Sequence, residues 1–205
     1  MEITLKDGKS ISVEQGAKPI DIASKLSNKL KKTALAAKVD GELWDLMRPI
    51  EKDCELEILT FDDAEGRWTM RHTVSHVLAQ AVKRLYPDTK LAIGPAIDKG
   101  FYYDFDVDKA FTAEDLPKIE KEMAKIVSEN LPLERFELPR DEAIAFMKEK
   151  NEPYKVELIE DLPEGETISF YRQGDFTDLS AVYKPCTCVQ ADEHSGRILA
   201  RKREE

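Results

Sequence analysis

The sequence predicts an α+β chain in two parts, a small sheet-rich module over residues 1–61 and a larger mixed domain after it. Three observations predict this. Short alternating apolar stretches joined by turn residues fill the first sixty positions. The acidic, Gly-containing stretch F-D-D-A-E-G-R at 61–67 then interrupts them, and beyond it helical and strand-like patterns intermingle. A chain of 205 residues is long enough for one large domain or two small ones, and a hydrophobic fraction of 41% excludes a disordered polyampholyte and a fibrous chain.

In the first part, Ile3 and Leu5 precede the turn K-D-G-K and are answered by Ile11 and Val13, which reads as a hairpin. Pro19 sits in the first turn of a helix whose apolar positions Ile22, Leu26 and Leu30 recur every four residues, ended by K-K-T. Strands follow at Leu35 to Val39 and Glu42 to Leu46, joined by Asp40-Gly41, the pair favoured in a two-residue hairpin turn, and then at Glu55 to Leu59. Strand, strand, helix, strand, short strand, strand is the order of a β-grasp (ubiquitin-like) module. Residues 62–68 read as an exposed linker. The second domain is expected over 69–197, with a charged tail at 198–205.

In that domain a helix is expected from Thr69 to Tyr86, stopped by Pro87. A strand-like segment at Phe101 to Phe105 and a helix from about Asp115 to Glu129, with Pro117 in its first turn, come next. Leu133 to Leu138 reads as a strand, Arg140 to Lys150 as a helix, and Tyr154 to Ile159 and Ile168 to Gln173 as strands.

The net charge of −10 argues against indiscriminate nucleic-acid binding, but charge is unevenly distributed. Between residues 18 and 38, Lys18, Lys25, Lys29, Lys31, Lys32 and Lys38 face one acid, Asp21. This local basic patch is either a solvated helix face or a phosphate-binding surface. No apolar run approaches the roughly 18 residues that span a bilayer. The start M-E-I-T-L-K-D lacks a signal-peptide pattern, so a cytoplasmic protein is expected. Three cysteines, Cys54, Cys186 and Cys188, do not make a disulfide framework at this size.

His72 and His76 stand one helical turn apart in H-T-V-S-H. At about 100° per residue they fall within about 40° of each other, opposite Met70, Val74, Val77, Leu78, Ala81 and Leu85. They therefore face either water or a second buried surface. The pair is also half of a zinc site, which Cys186, Cys188 or His194 would complete with soft thiolate ligands.

The run R-H-T-V-S-H-V-L-A-Q-A-V-K-R-L-Y-P-D-T-K-L-A-I-G-P-A-I-D-K-G-F-Y-Y-D-F from Arg71 to Phe105 closely resembles the editing domain of bacterial threonyl-tRNA synthetases. So does N-E-P-Y-K-V-E-L-I-E-D-L-P with its continuation I-S-F-Y-R-Q-G-D-F-T-D-L, and the first sixty residues resemble the TGS domain that precedes it. The resemblance implies a second domain of the type shared by threonyl- and alanyl-tRNA synthetases. It implies tRNA(Thr) and mischarged seryl-tRNA(Thr) as partners, and a second pocket that hydrolyses the wrong ester. Such a pocket answers a physical limit, because one missing methyl is worth only about 1 to 3 kcal/mol in binding.

By resemblance His72, His76 and Lys155 are the catalytic candidates. Tyr103 and Asp178 are candidates for binding the adenosine and the substrate amine, and Lys25, Lys29, Lys31 and Lys32 for touching tRNA. No cofactor is implied for the part present, since ATP, magnesium and the family's zinc belong to the ligase domain, which has no counterpart here. No membrane or DNA partner is implied, nor a homodimer without that domain. The competing readings are a tRNA-binding module without catalysis and a metal protein using His72 and His76 with Cys186 and Cys188.

One departure stands out. The family continues D-L-C-R-G-P-H, whereas this chain reads Asp178-Leu179-Ser180 and then A-V-Y-K-P-C-T-C before ending in S-G-R-I-L-A and a charged tail. Either a natural variant or a reading-frame error produces this change. Translating the gene in its other two frames decides between them.

Overall fold

The computed structural model describes residues 1–180. The described chain divides into two units within one helix, between Thr73 and Val74.

The first unit holds one five-stranded sheet of β1 (Glu2–Leu5), β2 (Ser10–Ser12), β3 (Ala36–Val39), β4 (Glu42–Trp44) and β5 (Cys54–Leu59), in the order β2-β1-β5-β3-β4. The strands β1 and β5 run parallel and every other pair is antiparallel, which is the expected β-grasp arrangement. The Asp40-Gly41 turn has positive φ at both residues, 50° and 84°, the geometry for which that pair is favoured. One apolar cluster underlies the sheet, with Ile3, Ile22, Ile50 and Leu56 all at most 2% exposed.

The expected single helix is two, α1 (Pro19–Leu26) and α2 (Asn28–Thr33). Ser27 leaves the helical region at φ −167° and ψ 150°, and its hydroxyl accepts the Leu30 amide at 2.9 Å. Capping a new helix satisfies an orphan amide that a continuous helix would not offer to Ser27. Leu26 is left 40% exposed as a result.

Helix α3 (Ala64–Leu85) begins five residues earlier than expected, so most of the stretch read as linker is helical. Gly66 belongs there for a steric reason. A Cβ at that position would lie 1.9 Å from the Thr60 carbonyl oxygen.

In the second unit, two short ladders follow α3: β6 (Lys90–Leu91) with β9 (Phe105–Asp106), and β7 (Ala96–Ile97) with β8 (Gly100–Phe101). The expected single strand at 101–105 is thus divided between two ladders. Helix α4 (Leu116–Ser128) carries Pro117 in its first turn and buries Ile119 and Ile126. Strands β10 (Glu134–Leu138), β11 (Ile168–Gln173) and β12 (Phe176–Ser180) form an antiparallel sheet in that order, covered by α5 (Arg140–Glu149) and α6 (Pro153–Asp161) through a shared apolar cluster.

Helix α6 corrects the strand expected at Tyr154 to Ile159. The alternation around Val156, Leu158 and Ile159 is outweighed by two other features. Pro153 is suited to a first helical turn, and Lys155, Val156 and Ile159 recur at three- and four-residue spacing as the buried side. The Arg140 guanidinium fixes the far end of α6, donating to the carbonyl oxygens of Ile159, Leu162 and Pro163.

Phe170 is fully buried, stacked on Phe136 at 5.3 Å between centroids and edge-on to Phe146 at 5.6 Å. Phe170→Ala is expected to lower the unfolding free energy by about 3 to 5 kcal/mol in urea titration. A loss below about 1 kcal/mol would mean that this aromatic cluster is not the core of the sheet.

Candidate active site

Helix α3 is buried on its polar side as well as its apolar one. Thr69, His72, Thr73, Ser75, His76 and Gln80 are each at most 8% exposed, while Leu85 of the expected apolar stripe is 37% exposed. Of the two faces open to the histidine pair, the buried one is realised.

In the second unit three side chains converge on one carboxylate. Asp178, 2% exposed, stands on β12 rather than in a turn. His76 Nδ1 lies 2.7 Å from its Oδ2, and the Tyr103 hydroxyl donates to the same oxygen at 2.7 Å. Lys155 Nζ lies 2.7 Å from Oδ1, which also accepts the Leu179 amide at 2.8 Å. Lys155 further donates to the Tyr103 hydroxyl at 3.0 Å. Each carboxylate oxygen therefore carries two donors.

This packing explains the ionisation of the group. Burial alone would push the Asp178 carboxyl up, but the charges of Lys155 and His76 and the hydrogen bonds they make outweigh it, holding the carboxyl well below the usual carboxylate range. A carboxylate that stays ionised can only accept, so the hydrogen between it and His76 resides on Nδ1, which leaves Nε2 to carry the lone pair whenever the ring is neutral. Burial, and then the negative charge of Asp178, raise the Tyr103 phenol well above its ordinary value, keeping it a donor.

Two features hold these groups in place that sequence reasoning missed. Gly94 lies under the Tyr103 ring, where a Cβ would come within 2.1 Å of ring carbon Cδ2, and its carbonyl accepts the Ser75 hydroxyl at 2.9 Å. Glu152, 5% exposed, accepts the Leu91 amide at 2.8 Å and the Lys83 ammonium at 2.8 Å. Its carbonyl receives the Lys155 amide at 3.1 Å and so begins the helix that presents Lys155. The only signals in the sequence are a Gly within I-G-P and an acid directly before Pro153.

His72, one turn before His76 on α3, belongs to the first unit and stacks on Trp68 at 5.0 Å between centroids. Lys25, Lys29, Lys31 and Lys32 are exposed on α1 and α2, with no acid partner among the described residues. Cys186, Cys188 and His194 lie outside the described residues. Within those, no group of three His, Cys, Asp or Glu side chains is placed to hold a metal. No described helix is long and apolar enough to cross a membrane.

Asp178→Asn leaves the buried Lys155 ammonium without its carboxylate, and a loss of about 3 to 5 kcal/mol is expected near neutral pH. A depressed folded-state pKa contributes stability above the unfolded value of about 3.9 and loses it as pH falls further. The difference between wild type and Asp178→Asn should therefore narrow below about pH 4 in denaturant titrations. A difference independent of pH would contradict the ionised carboxylate.

Residues 1–60 match the TGS domain family. The threonine–tRNA ligase of Clostridium tetani (strain Massachusetts / E88) is 70% identical over 181 residues, covering 88% of this chain and 28% of that relative. Those of Clostridium botulinum strains Kyoto and Langeland are 69% and 68% identical over the same length and shares. The chain spans less than a third of the length of the curated relatives it matches, at 28%. It carries a TGS domain and is homologous, along 88% of its length, to a segment of the threonine–tRNA ligases.

Proposed function

We propose that the second unit is an editing domain that hydrolyses the ester of seryl-tRNA(Thr), with the TGS domain contributing to tRNA binding. The observation that carries this reading is the buried carboxylate of Asp178 holding His76, Tyr103 and Lys155 together. Hydrolysis requires a water oxygen to attack the ester carbonyl, a site for the negative charge that develops, and a proton for the departing ribose oxygen. In this reading His76 Nε2, set as acceptor by the bond from Nδ1, takes the water proton and later returns one to the ribose oxygen. Lys155 has a third N–H beyond those given to Asp178 and Tyr103, and it stabilises the oxyanion. Water adds to the carbonyl carbon, the bond to the ribose breaks, and free serine and an intact 3′ end are released.

This reading gives two residues roles other than those implied by resemblance. With two donors on each oxygen, Asp178 acts as a positioning residue rather than as the holder of the substrate amine. Tyr103, 3% exposed and engaged through its hydroxyl, orients Lys155 and Asp178 rather than binding the adenosine. His72 keeps the place that the resemblance gives it, with orientation of the ribose as its role in this reading.

The test compares release of serine from seryl-tRNA(Thr) with release of threonine from threonyl-tRNA(Thr). Faster loss of serine is expected, with a fall of about 10² to 10⁴ in His76→Ala and in Lys155→Ala. Background rates with tRNA still bound would leave a recognition module, and stoichiometric zinc lost on replacing Cys186 and Cys188 would favour the metal reading. Ser180, where the family has Cys, is buried at the end of β12, and the assay asks directly whether hydrolysis persists with serine there.

The lysines of α1 and α2 give a separate expectation. If Lys25, Lys29, Lys31 and Lys32 face tRNA phosphates, replacing them by Gln should flatten the dependence of log K on log salt by about one unit for each phosphate that is no longer neutralised. An unchanged slope would return these lysines to solvent.

A further inference from the structure

The three elements that bring His76, Tyr103 and Lys155 to Asp178 meet a second time. Helix α3 carries His76 and, two turns on, Lys83. Helix α6 carries Lys155 and is opened by Glu152. Strand β6 carries Leu91, and its ladder partner β9 closely follows Tyr103. At this second meeting point the Lys83 ammonium lies 2.8 Å from Glu152 Oε1, and the Leu91 amide donates to Oε2 at 2.8 Å. One buried carboxylate thus joins the same three elements that Asp178 joins.

Each arm of this junction is fixed. Lys83 gives its other two N–H groups to the carbonyl oxygens of Pro87 at 3.0 Å and Thr89 at 2.9 Å, which holds the turn between α3 and β6. Asn151 turns the chain at φ 57°, and the Glu152 amide then donates to the Met147 carbonyl at 3.0 Å. The Glu152 carbonyl receives the amides of Lys155 and Val156 at 3.1 and 3.2 Å, so the place of Glu152 sets where Lys155 begins. From Leu91 the constraint runs to Tyr103. Leu91 pairs with Phe105, the Ala92 amide donates to the Asp104 carbonyl at 3.0 Å, and the Asp104 amide donates to the Ile93 carbonyl at 2.8 Å.

A lysine side chain has four rotatable bonds, so its ammonium stays on one carboxylate oxygen and one phenol only where its backbone is held. Hydrogen bonds weaken steeply as their geometry is lost, and a misplacement of about 1 Å can cost about a hundredfold in rate. We infer that Lys83 and Glu152 form a positioning pair that holds Lys155 and Tyr103 in place on Asp178 while touching no substrate. Its effect on rate rests on the editing reading above, whereas its effect on the geometry of the four residues does not.

The experiment compares Glu152→Gln and Lys83→Met with the wild type well below the unfolding transition, where a loss of stability alone moves neither of two readouts. Glu152→Gln keeps the shape and an acceptor for Leu91 but turns an amide donor toward Lys83. Lys83→Met keeps an unbranched chain, removes the ammonium, and covers the case in which Glu152→Gln does not fold. By NMR, the Lys155 Nζ and Tyr103 ring signals are expected to shift in both variants, and the ammonium and hydroxyl protons to exchange faster with water. In release of serine from seryl-tRNA(Thr), kcat is expected to fall about 10- to 100-fold with KM unchanged. The double variant should lose no more than either single one, and Lys83→Arg should recover most of what Lys83→Met loses. Unchanged Lys155 and Tyr103 signals in a folded variant, an unchanged kcat where the wild type hydrolyses, or losses that add in the double variant would overturn the inference. A wild type that releases no serine, with the signals still shifting in the variants, would overturn the editing reading and support the pair.

Discussion

The second unit depends on one buried carboxylate. Asp178 draws a histidine from α3, a tyrosine from the segment between the two short ladders and a lysine from α6 onto the final strand of a sheet. None of these groups is stable alone in such a place, because an isolated ammonium or carboxylate out of water is strongly disfavoured. Together they satisfy one another. The same attraction that permits burial of Lys155 fixes the ionisation of Asp178, the tautomer of His76 and the donor state of Tyr103. Chemistry and stability are thus one constraint here.

That constraint organises the surrounding sequence. Along α3, His72, His76, Gln80 and Lys83 fall within about 80° of one another, and three of these are anchored in turn to Asp178, to the Gln173 carbonyl and to Glu152. A helix whose polar stripe is buried needs such partners at every turn. Gly94 fits the same logic, since the Tyr103 ring occupies the space that any larger residue would need.

The β-grasp sheet is legible in the sequence because its signals are local: alternation, Asp40-Gly41 and Pro19 each act within a few residues. The histidine pair on α3 is legible for the same reason. What escapes is decided at long range or by competition. Ser27 can continue a helix or cap a new one, and capping prevails. Residues 154–159 alternate well enough to suggest a strand, but Pro153 and the spacing of Lys155, Val156 and Ile159 place a lysine on a helix that covers the sheet. Asp178 read alone suits a turn, and only pairing across β11 and β12 shows it as the centre of a network. Glu152 and Gly94 have no periodic signature, because their partners are distant in sequence.

The network stands on an ionised Asp178 that holds His76 through Nδ1. The ¹⁵N chemical shifts of the His76 ring, recorded where the ring is neutral, read this directly. A protonated Nδ1 and a lone pair on Nε2 are expected. A ring protonated on Nε2 instead would contradict that arrangement, since Nδ1 would then meet the carboxylate as one acceptor against another.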